Sequence, residues 1–174
     1  MADFTQLELQ ILDKKIHDRS GFDCGVEHLN KWFSTTASAA AVRNLSRTKV
    51  LVSPASPATV LGYYAISNCT VRSIPKYPRQ GAPALLLARM AVDRAHQGKR
   101  IGEQLLLAAI KDIVHISLDP RFPPVIGLVV DPKNGATDFY LGYGFTEIEM
   151  DDGSVRLFMS VSECMQVVEV IGLP

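Results

Sequence analysis

Two short stretches, about 40 residues apart, carry the glycines and side chains that could do group-transfer chemistry. The first is Met90-Ala91-Val92-Asp93-Arg94-Ala95-His96-Gln97-Gly98-Lys99-Arg100-Ile101-Gly102, an apolar strand entering a glycine-containing turn that opens a helix. Such a turn aims backbone N–H groups and the positive end of the helix dipole at one place, which suits a phosphate. Lys99 and Arg100 would add charge there. An ordinary strand-to-helix turn has the same glycine, so spacing alone leaves both readings open. The stretch is not a P-loop, since no Gly-Lys-Ser/Thr closes it, nor a GxGxxG fingerprint. The second stretch, Phe139-Tyr140-Leu141-Gly142-Tyr143-Gly144-Phe145, ends a short helix and enters a strand. Gly144 is expected as its left-handed cap. Its aromatics either plug the core or turn one tyrosine hydroxyl toward a reaction centre.

Other chemistries find no support. His17, His28, His96 and His115 fall in different elements with no cysteine pair at metal spacing, so no metal site is expected. No Gly-x-Ser-x-Gly elbow supports a hydrolase. Glu147 and Glu149 alternate ahead of Asp151 and Asp152 and read as a solvated face. Cys24, Cys69 and Cys164 are odd in number and far apart, which suits reduced thiols. With no secretory leader and no membrane-length apolar run, a cytoplasmic protein is expected.

At 174 residues, 47% hydrophobic and 21% charged, the chain can bury a sizeable core, and one domain over 1–174 is expected. Zero net charge hides an asymmetry. Residues 43–100 hold ten Lys or Arg against the single acid Asp93, a balance of +9. Residues 1–42 stand at −2 and 101–174 at −7. A basic middle suits a polyanion, and equally suits neutralisation by the acidic end across the fold.

Periodicity supplies the elements around the two stretches. Strands are expected at 7–12, 49–52, 59–67, 84–92, 125–130, 145–150 and 155–161. Helices are expected at 24–44, 98–117 and 134–141, with Gly102, Leu106, Ala109, Ile113 and Ile116 forming the stripe of the second. Residues 53–57 and 151–154 read as hairpin turns, 71–83 as an irregular crossing, and 162–174 fits no single element. The strand ending at Val92 is expected to be buried on both sides. Its link to Val125 through the helix should be a right-handed crossover between parallel strands in a mixed sheet.

In this order, the two stretches resemble the GNAT superfamily of acyl-CoA N-acyltransferases, over most of 47–161. Gln97-Gly98-Lys99-Arg100-Ile101-Gly102 is similar to the Gln/Arg-x-x-Gly-x-Gly/Ala signature, with Arg100 where its first glycine belongs. The resemblance implies an α+β (α/β/α) fold, a mixed central sheet flanked by helices, with acetyl-CoA as cosubstrate. It implies that Met90, Ala91 and Val92 hold the pantetheine and acetyl carbonyl. Gln97, Gly98, Lys99, Arg100, Ile101 and Gly102 would surround the pyrophosphate, with Asp131 and Phe139 also at the cofactor. Tyr140 would protonate the departing thiolate.

The first third resembles one branch of that superfamily. His17-Asp18-Arg19-Ser20-Gly21-Phe22-Asp23-Cys24-Gly25, Leu29-Asn30-Lys31-Trp32-Phe33 and Leu45-Ser46-Arg47-Thr48-Lys49-Val50 are similar to the GNAT toxins of bacterial toxin–antitoxin pairs. That likeness implies acetylation of aminoacyl-tRNA, a ribbon-helix-helix antitoxin as partner, and a homodimer as one assembly. Arg47, Arg72, Lys76, Arg79 and Arg89 are the candidate tRNA contacts. The chemistry is compatible: an α-amine has pKa ~7.7–8.0 and an adjacent ester lowers it, so no strong general base is required. Toxins of this kind are usually more basic than this neutral chain. An acetyltransferase for a small-molecule or protein amine therefore stays open, and Arg100 keeps open a non-catalytic CoA-binding module.

Overall fold

The computed structural model describes residues 7–72, 74–133 and 135–172. Its strands are β1 (Glu8–Ile11), β2 (Arg47–Ser53), β3 (Ser56–Val71), β4 (Ala82–Val92), β5 (Gly127–Val130), β6 (Thr146–Glu149) and β7 (Val155–Ser160). Its α-helices are α1 (Glu27–Lys31), α2 (Ala37–Val42), α3 (Ile101–Leu118), α4 (Thr137–Leu141) and α5 (Val161–Val170). One seven-stranded sheet runs in the order β1-β2-β3-β4-β5-β7-β6. β4 and β5 are parallel, with Leu85 opposite Leu128, and α3 lies in the chain between them. β1–β2, β2–β3, β5–β7 and β6–β7 are antiparallel, so the sheet is mixed, as expected.

The chain divides into two compact units, through which β3, β4 and α3 all pass. The first holds the residues up to Ser67 together with Arg89–Leu106. Its core comes from strand residues such as Val50, Val52, Val60 and Tyr63, packed with Phe22, Phe33 and Ala91. The second holds Asn68–Ala88 and the residues from Leu107 onward. There Val71, Ala84, Val129 and Phe158 form a core joined by Ile74, Tyr77, Leu86, Ile126 and Ile148. All four residues of β5 are buried, which its unbroken apolar run anticipates.

The expected helix over 24–44 is shorter and interrupted. Asp23 accepts the Gly25 N–H and Asn30 accepts the Cys24 N–H, so these residues form a turn and α1 begins only at Glu27. Trp32–Thr36 is then a π-helical turn, where the Ser34 and Thr35 hydroxyls both donate to the Lys31 carbonyl. Hydroxyls that claim a helix carbonyl in this way loosen the regular ladder.

Other boundaries also move. β3 is sixteen residues long rather than nine: its hairpin with β2 closes on Pro54 and Ala55 alone, and the strand runs on to Val71. β4 is half-buried from Ala88 to Met90, against the expectation of burial on both sides. The end of the chain, ambiguous in sequence, forms α5 behind a capping box in which Ser160 and Glu163 bond each other's backbone N–H. The helix expected from Asn134 begins at Thr137, and Asn134 itself lies outside the described residues. Among the described residues, no helix is long and apolar enough to cross a membrane.

Candidate active site

In the first unit, β4 ends at Val92 and the chain turns into α3 over eight residues. Asp93 directs this turn. Its carboxylate accepts the Ala95 N–H at 3.0 Å, capping a 3-10 turn over Arg94–His96, and the Asp23 N–H at 3.0 Å. The Gln97 side-chain amide donates to the Val92 and Cys24 carbonyls, both at 3.0 Å. That amide is thus committed to the chain's own backbone and braces the turn.

Gly98 follows with φ of 75°, and Arg100 with φ of 59°. A Cβ on Gly98 would meet nothing within 4 Å, so the backbone here is open. Arg100 is one of two non-glycine residues with positive φ in the described chain, at a cost of about 1 kcal/mol. Arg100, which stands where the signature has its first glycine, thus adopts a left-handed conformation that glycine takes up without strain. Its guanidinium turns outward and is bound by Glu103, at 2.6 Å from Nε and 3.2 Å from Nη2. The Lys99 ammonium donates to the Ala95 carbonyl at 3.0 Å.

α3 starts at Ile101, three residues later than expected, because the two left-handed residues lie before it. Its first intrahelical bond runs from the Gln104 N–H to the Arg100 carbonyl. The amides of the first turn, including Ile101 and Gly102, point out beyond the helix end. The Ile101 side chain is buried, and a Cβ on Gly102 would touch only Val92, at 3.8 Å. An open left-handed turn followed by outward amides fits a diphosphate. On β4, Ala91 is buried while Met90 and Val92 are half-buried.

In the second unit, Tyr140 is buried on α4, with its ring edge-on to Phe139 at 5.1 Å and to Phe145 at 5.7 Å. Phe139 is half-buried and also meets Tyr143 at 5.2 Å. The Tyr143 N–H donates to the Tyr140 carbonyl, and Gly144 at φ of 96° donates to that of Leu141. Gly144 is thus the left-handed cap that the sequence suggests. Burial pushes the Tyr140 phenol above its usual pKa, so it stays protonated at neutral pH. Among the described residues, its hydroxyl forms no hydrogen bond with another side chain or with backbone.

The remaining candidates are scattered. The Asp131 carboxylate is gripped by Arg156 at 2.6 and 2.7 Å, a bidentate pair that leaves little for a cofactor. Arg156, which no sequence signal singles out, lines a cleft of about 740 Å³ with Arg72, Lys133, Asp131 and Asp152. Arg47 donates to the Ala41 carbonyl and to Asn44, so it ties down the end of α2. Arg72, Lys76 and Arg79 are exposed on the crossing between β3 and β4, with Lys76 over the Tyr77 ring. Arg89 lies over Trp32. Among the described residues, no three His, Cys, Asp or Glu gather as a metal site would require.

A mixed sheet whose β4 passes through a left-handed turn into the N terminus of a long helix is the arrangement expected of an acyl-CoA-dependent transferase, and the family comparison shows that class. The chain belongs to the GNAT acetyltransferase family, whose acetyltransferase (GNAT) domain model matches residues 58–147, more than half of its length. A curated relative, "Probable toxin TacT" of Sinorhizobium fredii (strain NBRC 101917 / NGR234), is 26% identical over 117 residues. That match spans 63% of this chain and 64% of the relative.

Among solved structures, a tyrosine-to-phenylalanine mutant of KacT superposes with a TM-score of 0.81 at 28% identity, over 93% of this chain and 99% of that one. AtaT complexed with acetyl-methionyl-tRNAfMet gives 0.81 at 26% identity, over 96% and 99%. AtaTR bound with acetyl-CoA gives 0.80 at 27%, over 92% and 97%.

Proposed function

We propose that this protein transfers acetyl from acetyl-CoA to the α-amine of aminoacyl-tRNA and acts as the toxin of a toxin–antitoxin pair. The observation that carries the acetyl-CoA half is the open left-handed turn at Gly98 and Arg100. The tRNA half is supported by likeness to AtaT, which has been seen with acetyl-methionyl-tRNAfMet, and to the TacT relative. The whole chain would act as one catalytic domain in the cytoplasm.

The amides of Gly98 to Gly102 hold the diphosphate, and the half-buried end of β4 orients the acetyl carbonyl. The neutral amine attacks the carbonyl carbon, the C–N bond forms and the C–S bond breaks. The Tyr140 phenol gives its proton to the departing thiolate and regains one from solvent, while the product amide loses its extra proton to solvent. A phenol near pKa ~10 or above is a reservoir that neutral pH does not empty, facing a thiolate whose acid has pKa ~8.5. The existence of tyrosine-to-phenylalanine mutants of KacT and AtaT supports a tyrosine of this kind as a point of interest. The expected neutralising partner is a ribbon-helix-helix antitoxin, and a homodimer is one assembly open to the chain. AtaT has been seen with its antitoxin AtaR.

A second reading, acetylation of a small amine, is favoured by the zero net charge. Incubation with labelled acetyl-CoA, charged tRNA and a panel of small amines separates the two. Label on the aminoacyl group of the tRNA supports the first; label on small amines alone removes it.

A further inference from the structure

Four arginines are paired with carboxylates. Arg94 faces Asp23, Arg100 faces Glu103, Arg121 faces Asp119 and Arg156 faces Asp131. Arg89 is half-buried on β4, yet among the described residues it meets no carboxylate. Its guanidinium carbon instead lies 4.3 Å from the centroid of the Trp32 ring.

That ring is firmly held. Trp32 stacks on Tyr63 at 6.0 Å and 22°, and Tyr63 stacks on Phe33 at 4.3 Å and 9°. The Tyr63 hydroxyl donates to the Leu29 carbonyl at 3.1 Å. Phe22 closes the cluster edge-on to both Phe33 and Tyr63. Trp32 also opens the π-helical turn, a type of irregularity common at functional sites. A guanidinium laid on such a platform loses little freedom on binding, and its N–H fork remains suited to an anion.

We infer that Arg89, laid on Trp32, binds the phosphate of the acceptor's 3′-terminal nucleotide and so favours an amine carried on RNA over a free amine. The inference rests on the proposed function and adds a residue pair that selects the substrate. The anion cannot be a phosphate of the cosubstrate under that reading. Its diphosphate sits at the turn after β4, and its arm runs back along Val92 to Met90. Arg89 lies one residue beyond the acetyl end, roughly 10 Å along the strand from Val92 at about 3.3 Å per residue. In an aminoacyl-tRNA only an ester and a ribose separate the attacking amine from the terminal phosphate. A cation beside the acetyl end is therefore where that phosphate must come.

The test compares full-length wild type with R89Q, R89K and W32F, on charged tRNA and on a methyl ester of the same amino acid. Folding is checked by circular dichroism and by acetyl-CoA binding. The expected result for R89Q is a loss of about tenfold or more in kcat/KM on charged tRNA beyond any loss on the ester, carried by KM. The slope of log kcat/KM against log salt should flatten by ~0.7 for one lost phosphate contact to a single strand. R89K should recover part of the loss and most of the salt slope, and W32F should fall between R89K and wild type. Equal losses on both acceptors, or an unchanged salt slope, would overturn the inference while leaving the proposed function standing. A wild type that acetylates no charged tRNA overturns the proposed function, and this inference with it.

Discussion

The turn after β4 and the exit of α4 are both glycine-marked junctions of helix and strand, yet different forces hold them. The turn is held by directed polar bonds: Asp93 caps it and ties it to Asp23, Gln97 braces it to Val92 and Cys24, and Glu103 ties back the Arg100 side chain. The α4 exit is held by ring packing among Phe139, Tyr140, Tyr143 and Phe145. Polar bracing leaves backbone amides exposed for a charged ligand. Aromatic packing buries the Tyr140 phenol, and that burial raises its pKa. A binding junction and a proton-holding junction thus call for different residue types.

The largest effect should come from breaking the second junction's chemistry without its packing. Tyr140→Phe keeps the ring and should lower kcat by about 10²–10⁴, with acetyl-CoA affinity unchanged within a few-fold. In wild type, burial lets Tyr140 keep its proton past the usual phenol pKa, so kcat should not fall with rising pH until above ~10. Below neutrality the rate should climb as the acceptor amine loses its proton. Steady-state kinetics across pH check both. A variant of wild-type activity would remove Tyr140 from its role.

Gln97→Ala breaks the first junction through its bracing. Loss of two hydrogen bonds should cost about 1–2 kcal/mol of stability and raise the Kd for acetyl-CoA roughly tenfold, read by thermal melting and calorimetry. The smallest effect is expected from Arg100→Gly. It relieves about 1 kcal/mol of backbone strain and gives up an exposed ion pair of smaller worth, so stability should change little and acetyl-CoA affinity should stay within a few-fold. A large gain in affinity would mean that the Arg100 side chain obstructs the turn.

Both junctions were legible in sequence because each rests on local rules. Glycine at positive φ and a strand-to-helix change are written in neighbouring residues, and so is the Ser160–Glu163 capping box that the tail's ambiguity concealed. The sequence left unread what distant residues decide. Nothing near Gln97 says that its amide will reach Cys24, seventy-three positions away in the chain. Asp131 is a cofactor candidate by likeness alone, and nothing near it in sequence says that Arg156, on β7, will pair with it. The stacking of Trp32, Tyr63 and Arg89 joins three elements, and although Arg89 is a candidate tRNA contact by sequence, nothing near it says that it will lie on Trp32. Arg100 departs from the family signature in residue type, and only φ reveals that it sits in the left-handed region where glycine is unstrained.

The most direct measurement is calorimetric titration of the full chain with acetyl-CoA and, separately, with acetyl-pantetheine, which shares the reactive arm and lacks the diphosphate. If the outward amides after Gly98 bind that diphosphate, acetyl-CoA should saturate a single site and acetyl-pantetheine should bind at least ~100-fold more weakly. Equal affinities, or no heat with acetyl-CoA, would contradict the account.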